Sequence, residues 1–247
     1  MIRAMIFDLD GTLVQTEKLK ARSYALAVAE LCPGAVEEDE VVEAFKDVVG
    51  LSRREVARAL VDRFGIEEQA GARMAEFGVS TPWQAFVQLR LEYYEDMLAD
   101  PQILRDNQWP HSMDLLRTAR ANHCKTGLAT MSHCQQARRV LEILNLTDAF
   151  DFVASRDDVE RAKPDPEIYK LVSIELNTPP QDCLVIEDSP SGVKAALAAG
   201  MWCIAVTTPF TREAIHREQL LAERWVVDDP ATLPDVVQQL FDEREGF

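Results

Sequence analysis

From residue 112 onward the chain repeats one pattern: a short apolar run, a stretch with helical spacing, then another apolar run. Residues 126–132, Phe152-Val153, Cys183-Leu184-Val185-Ile186, Cys203-Ile204-Ala205-Val206 and Trp225-Val226-Val227 read as successive strands. The stretch after residue 132 reads as a helix to about Asn145. Asp165-Pro166-Glu167 reads as a helix start, with Asp165 as cap and proline at the first helical position. Ser189-Pro190 starts another helix through an alanine-rich segment to Ala199, and Gly200 closes it. Strands that alternate with helices pair in parallel and bury both faces of their sheet. The expected fold class is therefore α/β, a doubly wound, Rossmann-like parallel sheet.

One more apolar run, Ala4-Met5-Ile6-Phe7, stands far from the others. Between it and the alternating part, residues 17–98 show no strand pattern. Tyr24, Ala27, Val28 and Leu31 recur at helical spacing, as do Val41, Phe45, Val48 and Val49, and then Phe86, Leu89, Tyr93 and Met97. We read residues 17–95 as an inserted all-helical domain, and residues 1–16 with 96–247 as the α/β core. The connections fall near residues 14–17 and 99–105.

Of the 247 residues, 47% are hydrophobic, enough for a packed core. Asp and Glu number 42 against 26 Lys and Arg, a net charge of −16, which disfavours nucleic acid or an anionic membrane as partner. No apolar run reaches the length of a membrane span. The five cysteines, Cys32, Cys124, Cys134, Cys183 and Cys203, are scattered and odd in number, and no leader-like segment precedes the first strand. We expect reduced thiols, a cytoplasmic location, and a monomer or small homo-oligomer. Cys183 and Cys203 lie in apolar strands and read as core.

The chemistry-bearing residues fall at strand ends, where open α/β sheets place their ligands. Asp8 and Asp10 follow the first strand two residues apart, so both carboxylates can face one crevice, and Gly11 permits the turn behind them. An acidic strand-to-loop turn would look the same. Thr130 can bond a phosphate oxygen or a local loop amide. Lys163, stiffened by Pro164 and Pro166, can be aimed at a fixed anion or simply be solvated. Glu187-Asp188 can hold a cation, cap the next helix, or both.

In this order on successive strand ends, these residues resemble the haloacid dehalogenase superfamily. Asp8-Leu9-Asp10-Gly11-Thr12 matches its first motif, Thr130 its second, Lys163 its third and Glu187-Asp188 its fourth. The match runs on through Glu187-Asp188-Ser189-Pro190-Ser191-Gly192 to Gly200-Met201. Residues 17–95 sit where the superfamily inserts its helical cap, in the branch that holds β-phosphoglucomutase and many sugar-phosphate phosphatases. The resemblance implies an Mg²⁺-dependent phosphatase of a small phosphorylated metabolite, a sugar phosphate among the candidates. Asp8 would attack phosphorus and form an aspartyl phosphate, and Asp10 would serve as acid and then base. Asp8, the Asp10 carbonyl and Asp188 would hold the metal, with Glu187 directly or through water. Lys163 and Thr130 would steady the transferring oxygens.

Departures from the branch bear on substrate. Gly50-Leu51-Ser52-Arg53 carries arginine where a phosphonoacetaldehyde hydrolase carries its Schiff-base lysine, and Asp10 is present where that enzyme lacks it. The same Gly-x-Ser-Arg pattern is shared with the mutase. Gln15-Thr16, Lys20, Met131 and His133-Cys134 nevertheless differ from the mutase pattern. Hydrolysis is therefore favoured, with Lys20, Arg53, Met131 and Ser132 as substrate-binding candidates. A phosphohexomutase is the nearest alternative. A phospho-aspartate signalling domain ranks below both, given the helical insertion and Asp10. His111, His123 and His216 lack metal-ligand spacing and read as surface, Trp83 and Trp109 as packing, and acidic residues 36–43 as a solvated face.

Overall fold

A computed structural model describes residues 1–49 and 51–245, so Gly50 of the Gly-x-Ser-Arg pattern lies outside the described residues. The chain divides into two compact units, Met1–Gln15 joined with Leu104–Phe247, and Thr16–Ile103. No helix among the described residues is long and apolar enough to cross a membrane.

The Thr16–Ile103 unit is helical. It holds α1 (Thr16–Leu31), α2 (Glu38–Lys46), α3 (Arg53–Phe64), α4 (Glu67–Ala72), α5 (Met74–Phe77) and α6 (Pro82–Ala99). α6 packs against α1, α3, α4 and α5, and α2 packs against α1. A capping box opens α3: Ser52 accepts from the Glu55 amide, and Glu55 accepts from the Ser52 amide. The apolar spacing of α1 buries Tyr24, Ala27 and Val28. α2 stops at Lys46, so Val48 and Val49 pack from the turn beyond it. On α6 the buried row runs Phe86, Leu89, Arg90, Tyr94 and Leu98, leaving Tyr93 and Met97 half-buried. A row at 3.6 residues per turn takes in Arg90, which a count of apolar residues passes over. α7 (Pro101–Asp106) runs across the division between the units.

Among the described residues the other unit is built on six strands: β1 (Ala4–Phe7), β2 (Lys125–Ala129), β3 (Phe152–Ala154), β4 (Cys183–Glu187), β5 (Trp202–Val206) and β6 (Val226–Val227). They pair in parallel in the order β3-β2-β1-β4-β5-β6. This is the doubly wound order, in which the chain reverses its direction of travel across the sheet between β1 and β4. Around the sheet run α8 (Pro110–Ala121), α9 (Cys134–Ile143), α10 (Glu167–Glu175), α11 (Pro190–Ala198), α12 (Arg212–Glu218) and α13 (Leu233–Glu245). Ala4, Ile6, Val185 and Cys203 share one core with Tyr169 and Val172 of α10 and Val193 and Ala196 of α11. α8 packs on β2, with α13 against α8. Cys183 and Cys203 are buried.

Register sets the position of the strand ends. Phe7 pairs with Leu128 on one side and Ile186 on the other, so Asp8, Thr130 and Glu187-Asp188 emerge together. The Asp8 amide donates to Ile186 O at 3.0 Å, and the Thr130 amide to Ala154 O at 3.0 Å. β2 accordingly stops at Ala129, and Thr130, Met131 and Ser132 form the turn after it rather than the end of the strand. α10 begins at Glu167, with Asp165 Oδ1 accepting from the Glu167 amide at 3.0 Å. Trp225 ends a short 3-10 turn before β6. The helix after Ser189 and the left-handed Gly200 follow the expected pattern.

Candidate active site

The turn after β1 is tight. Gly11 has φ +88°, and its amide donates to Val14 O at 2.8 Å, folding the chain back beneath the two aspartates. Asp8 is buried and Asp10 half-buried.

Lys163 enters from the loop before α10, and its side chain is only 4% exposed. Its Nζ donates to Asp8 Oδ1 at 2.7 Å, to Glu187 Oε1 at 2.6 Å and to Ala129 O at 2.9 Å. The ammonium also lies over the Tyr169 ring, 4.9 Å from its centroid. Its three protons thus have three acceptors, and one strand-end carbonyl fixes them to the sheet.

Glu187 is the organiser of the fourth strand end. Oε1 accepts from Lys163 and from Tyr169 Oη at 2.9 Å. Oε2 accepts from the Asp188 amide at 2.9 Å, the Ser189 amide at 3.0 Å and Ser189 Oγ at 3.1 Å. Ser189 Oγ in turn caps α11 by accepting from the Gly192 amide at 3.1 Å. Gly192 leaves no room for a side chain: a Cβ there would lie 1.7 Å from Glu187 Oε1. Of the four residues expected around a metal, Glu187 therefore has both oxygens committed within the chain.

Asp10 is held by hydroxyls. Ser132 Oγ donates to Asp10 Oδ2 at 2.6 Å and Thr130 Oγ1 to the same oxygen at 3.4 Å, while the Ser132 amide donates to Thr130 Oγ1 at 3.0 Å. Asp8, Asp10, Thr130, Ser132, Lys163, Glu187 and Asp188 are thus brought together at the sheet's carboxyl end. Met131 packs half-buried against the core. Lys20 on α1 and Arg53 at the start of α3 belong to the helical unit.

Burial raises the Asp8 carboxyl to about 7; Lys163 pulls it down, and Glu187 and Asp10 add to the rise. The burial of Glu187 also opposes its charge, but Lys163 and its hydrogen bonds outweigh that and hold it below the usual carboxylate range. Lys163 is desolvated too, yet its two carboxylate partners raise it above the usual lysine range.

Three arrangements are not legible in the sequence. The sequence analysis does not single out Tyr169, whose hydroxyl and ring complete the Lys163–Glu187 pair. His133 precedes α9, and its Nδ1 meets Asp157 Oδ1 at 2.6 Å, while Asp157 Oδ2 accepts from the Cys134 amide at 2.7 Å. Asp157 was invisible because it acts from the loop after β3. His216, read as a lone surface residue, contacts both oxygens of Asp228 at 3.0 Å.

Two carboxyl groups, those of Asp8 and Glu187, meet the Lys163 ammonium, and Asp10 and Asp188 lie at the same strand ends. Oxygen donors of that kind suit Mg²⁺, a hard cation that binds through one or two carboxylates and keeps several waters. Among the described residues no three His, Cys, Asp or Glu side chains are gathered into a cage. Mg²⁺ sites of this type do not depend on one. The donor set therefore fits the ion.

Comparisons with known proteins bear on the family and the fold. The family model for haloacid dehalogenase-like hydrolases matches residues 2–200. A phosphorylated carbohydrates phosphatase of Thermotoga maritima is 31% identical over 200 residues, covering 81% of this chain and 82% of that protein. A validoxylamine A 7'-phosphate phosphatase of Streptomyces hygroscopicus subsp. limoneus is 28% identical over 221 residues, covering 90% of this chain and 93% of that protein. Among solved structures, a β-phosphoglucomutase from Clostridium difficile superposes with a TM-score of 0.72 at 23% identity, covering all of both chains, a likeness of fold. With its motif residues gathered on successive strand ends of a doubly wound sheet, the chain belongs to the haloacid dehalogenase-like hydrolases.

Proposed function

We propose that the protein is a phosphatase that hydrolyses a small phosphorylated metabolite, a sugar phosphate among the candidates, through a phosphoryl-Asp8 intermediate. The observation that supports this best is the buried Lys163 bridging Asp8 and Glu187 beside the hydroxyl-held Asp10. A carboxylate buried against a lysine is a poised nucleophile, and a second carboxyl two residues on can move a proton.

Asp8 Oδ attacks phosphorus, the P–O bond to the leaving alkoxide breaks, and Asp10 delivers the proton that alkoxide takes. Asp10, now a carboxylate, removes a proton from the water that attacks phosphorus in the second half, releasing phosphate and restoring Asp8. Ser132 and Thr130 donate to Asp10 Oδ2, fixing which oxygen is available for proton transfer. Lys163 offsets charge at Asp8. Asp8, Asp188 and the Asp10 carbonyl would hold Mg²⁺. When bound, the ion neutralises charge on the phosphoryl group and favours the ionised form of Asp8. Uncatalysed hydrolysis of phosphate monoesters is slow enough to require accelerations of up to ~10²¹. No single group supplies that, so the whole set is needed. We propose the Thr16–Ile103 unit as the specificity-bearing cap, with Lys20 and Arg53 as its substrate-recognising cations.

The test is phosphate release from a panel of phosphorylated metabolites with Mg²⁺ present. Turnover by the wild type and none by Asp8→Asn is the expected result. Comparable release by both would end the reading. With β-glucose 1-phosphate and a catalytic amount of the bisphosphate, inorganic phosphate is expected to outpace glucose 6-phosphate. The reverse would make the protein a mutase.

A further inference from the structure

The helical unit buries a cation that has two donor atoms with no acceptor among the described residues. Arg90 of α6 is 5% exposed, and its Nε and Nη1 are buried with no hydrogen-bond partner among the described residues. Its guanidinium lies 4.9 Å from the ring centroid of Tyr24 on α1 and 5.3 Å from that of Tyr94, one turn along α6. Tyr24 is itself fixed against Phe45 and Phe86. Arg53, half-buried at the start of α3, has its guanidinium shifted down, by burial first and then by the charge of Arg90. Two like charges therefore share one desolvated neighbourhood.

Packing alone does not account for this. Aromatic faces attract a guanidinium but accept none of its five protons in the way an oxygen does. A buried charge without hydrogen-bonding oxygen is worse for stability than an apolar side chain of similar size, and a second cation nearby worsens it further. An oxyanion changes the sign of every term. It supplies charge-assisted acceptors for the protons that Nε and Nη1 leave unpaired, and the neighbouring arginine becomes attractive.

We propose that Arg90, held between Tyr24 and Tyr94 with Arg53 beside it, is the centre of an oxyanion-binding site in the helical unit, for a carboxylate or phosphate group. The anion has two possible sources, an acidic group on the substrate itself or a separate small acid. Only the first rests on the phosphatase reading.

The test uses the full chain with malonate as probe, an oxyanion with no phosphorus for Asp8 to attack. Malonate is expected to bind the wild type and raise its Tm, with affinity at least tenfold weaker in Arg90→Met. Arg90→Lys should retain part of the effect. Without anion, Arg90→Met should unfold no earlier than the wild type. Equal malonate affinity in wild type and Arg90→Met overturns the proposal. So does a wild type that ignores malonate, whatever the Tm of Arg90→Met; a Tm lost in that variant would then mark Arg90 as a packing group. Should Arg90→Met fail to fold, Arg53→Gln carries the same affinity test. Kinetics separate the sources. If the site takes the substrate, the ratio of kcat/KM for an acid-bearing phosphate ester to that for a plain aryl phosphate falls at least tenfold in Arg90→Met, and malonate competes with the acidic ester. If it takes a separate acid, malonate alters turnover without competing. Malonate binding lost in Arg90→Met in a protein that hydrolyses no phosphomonoester would keep the anion site and end the phosphatase reading.

Discussion

Lys163 and Arg90 are both buried cations set against tyrosine rings, and their surroundings resolve the charge in opposite ways. Lys163 has an acceptor for each proton, two of them carboxylates, so its desolvation is offset within the folded chain. Arg90 has two aromatic faces, and its Nε and Nη1 have no acceptor among the described residues. The first arrangement is complete at rest and poised by excess negative charge. The second is incomplete at rest and favours whatever anion completes it. A buried charge is thus informative through its partners more than through its burial.

The largest effect tests the first arrangement. Asp8→Asn should lower phosphate release by on the order of 10⁴-fold or more, as removal of a nucleophile does, and a chelator should act comparably and be reversed by Mg²⁺. Residual turnover close to wild type in either case would remove Asp8 or the ion from the chemistry. Lys163→Met comes next. It strands Asp8 and Glu187 as neighbouring buried carboxyls, and we expect about 3–5 kcal/mol lost in denaturant unfolding. Arg90→Met, the matched substitution, should cost nothing or stabilise the anion-free protein. If both substitutions cost the same, the contrast between the two cations collapses. Gly192→Ala is smaller. Its Cβ meets the Glu187 carboxylate, so the cluster must shift at about 1–3 kcal/mol, with turnover falling as Lys163 loses its partner. Unchanged stability and turnover would show that Glu187 is free to move.

Much of the first arrangement was legible in sequence because it is local to strand ends. Asp8, Asp10, Thr130, Lys163 and Glu187-Asp188 each follow an apolar run or a stiff proline turn, and parallel register brings such ends together. The alternation itself gave the sheet. Less was legible where a partner comes from a distant loop or another helix. Tyr169 looks apolar until its hydroxyl finds Glu187, and Asp157 lies 24 positions from His133. Arg90 was missed for a different reason. Periodicity arguments count apolar residues, and they discard a charged residue that occupies the same row. Reading the α6 row as Phe86, Leu89, Tyr93 and Met97 passed over the residue that the true row, through Tyr94 and Leu98, places inside. A charged residue at core spacing is the signal that would have found it.

The smallest prediction concerns a third cation, which shows what pairing is worth near solvent. Arg73, between α4 and α5, pairs with Glu76 and, at 2.5 Å, with Glu30 of α1, which also accepts from Tyr93 Oη at 2.5 Å. The hydrogen bond from Tyr93 first, and then Arg73, hold the Glu30 carboxyl below its ordinary value of 4.5, while the same bond raises the Tyr93 phenol to about 12. A carboxyl depressed by folding stabilises the native state above its ordinary pKa, and that contribution fades as pH falls through the depressed value. Side-chain exposures of 27% for Arg73 and 36% for Glu30 let solvent screen the pair. Glu30→Gln should therefore cost no more than about 1 kcal/mol at pH 7, less in high salt. The difference between variant and wild type should shrink as the pH drops below 4.5. Denaturant unfolding of both proteins at neutral and acidic pH measures it. A penalty of several kcal/mol, or one that persists in acid, would place this triad with the buried cations and would mean that exposure is not what separates Arg73 from Lys163.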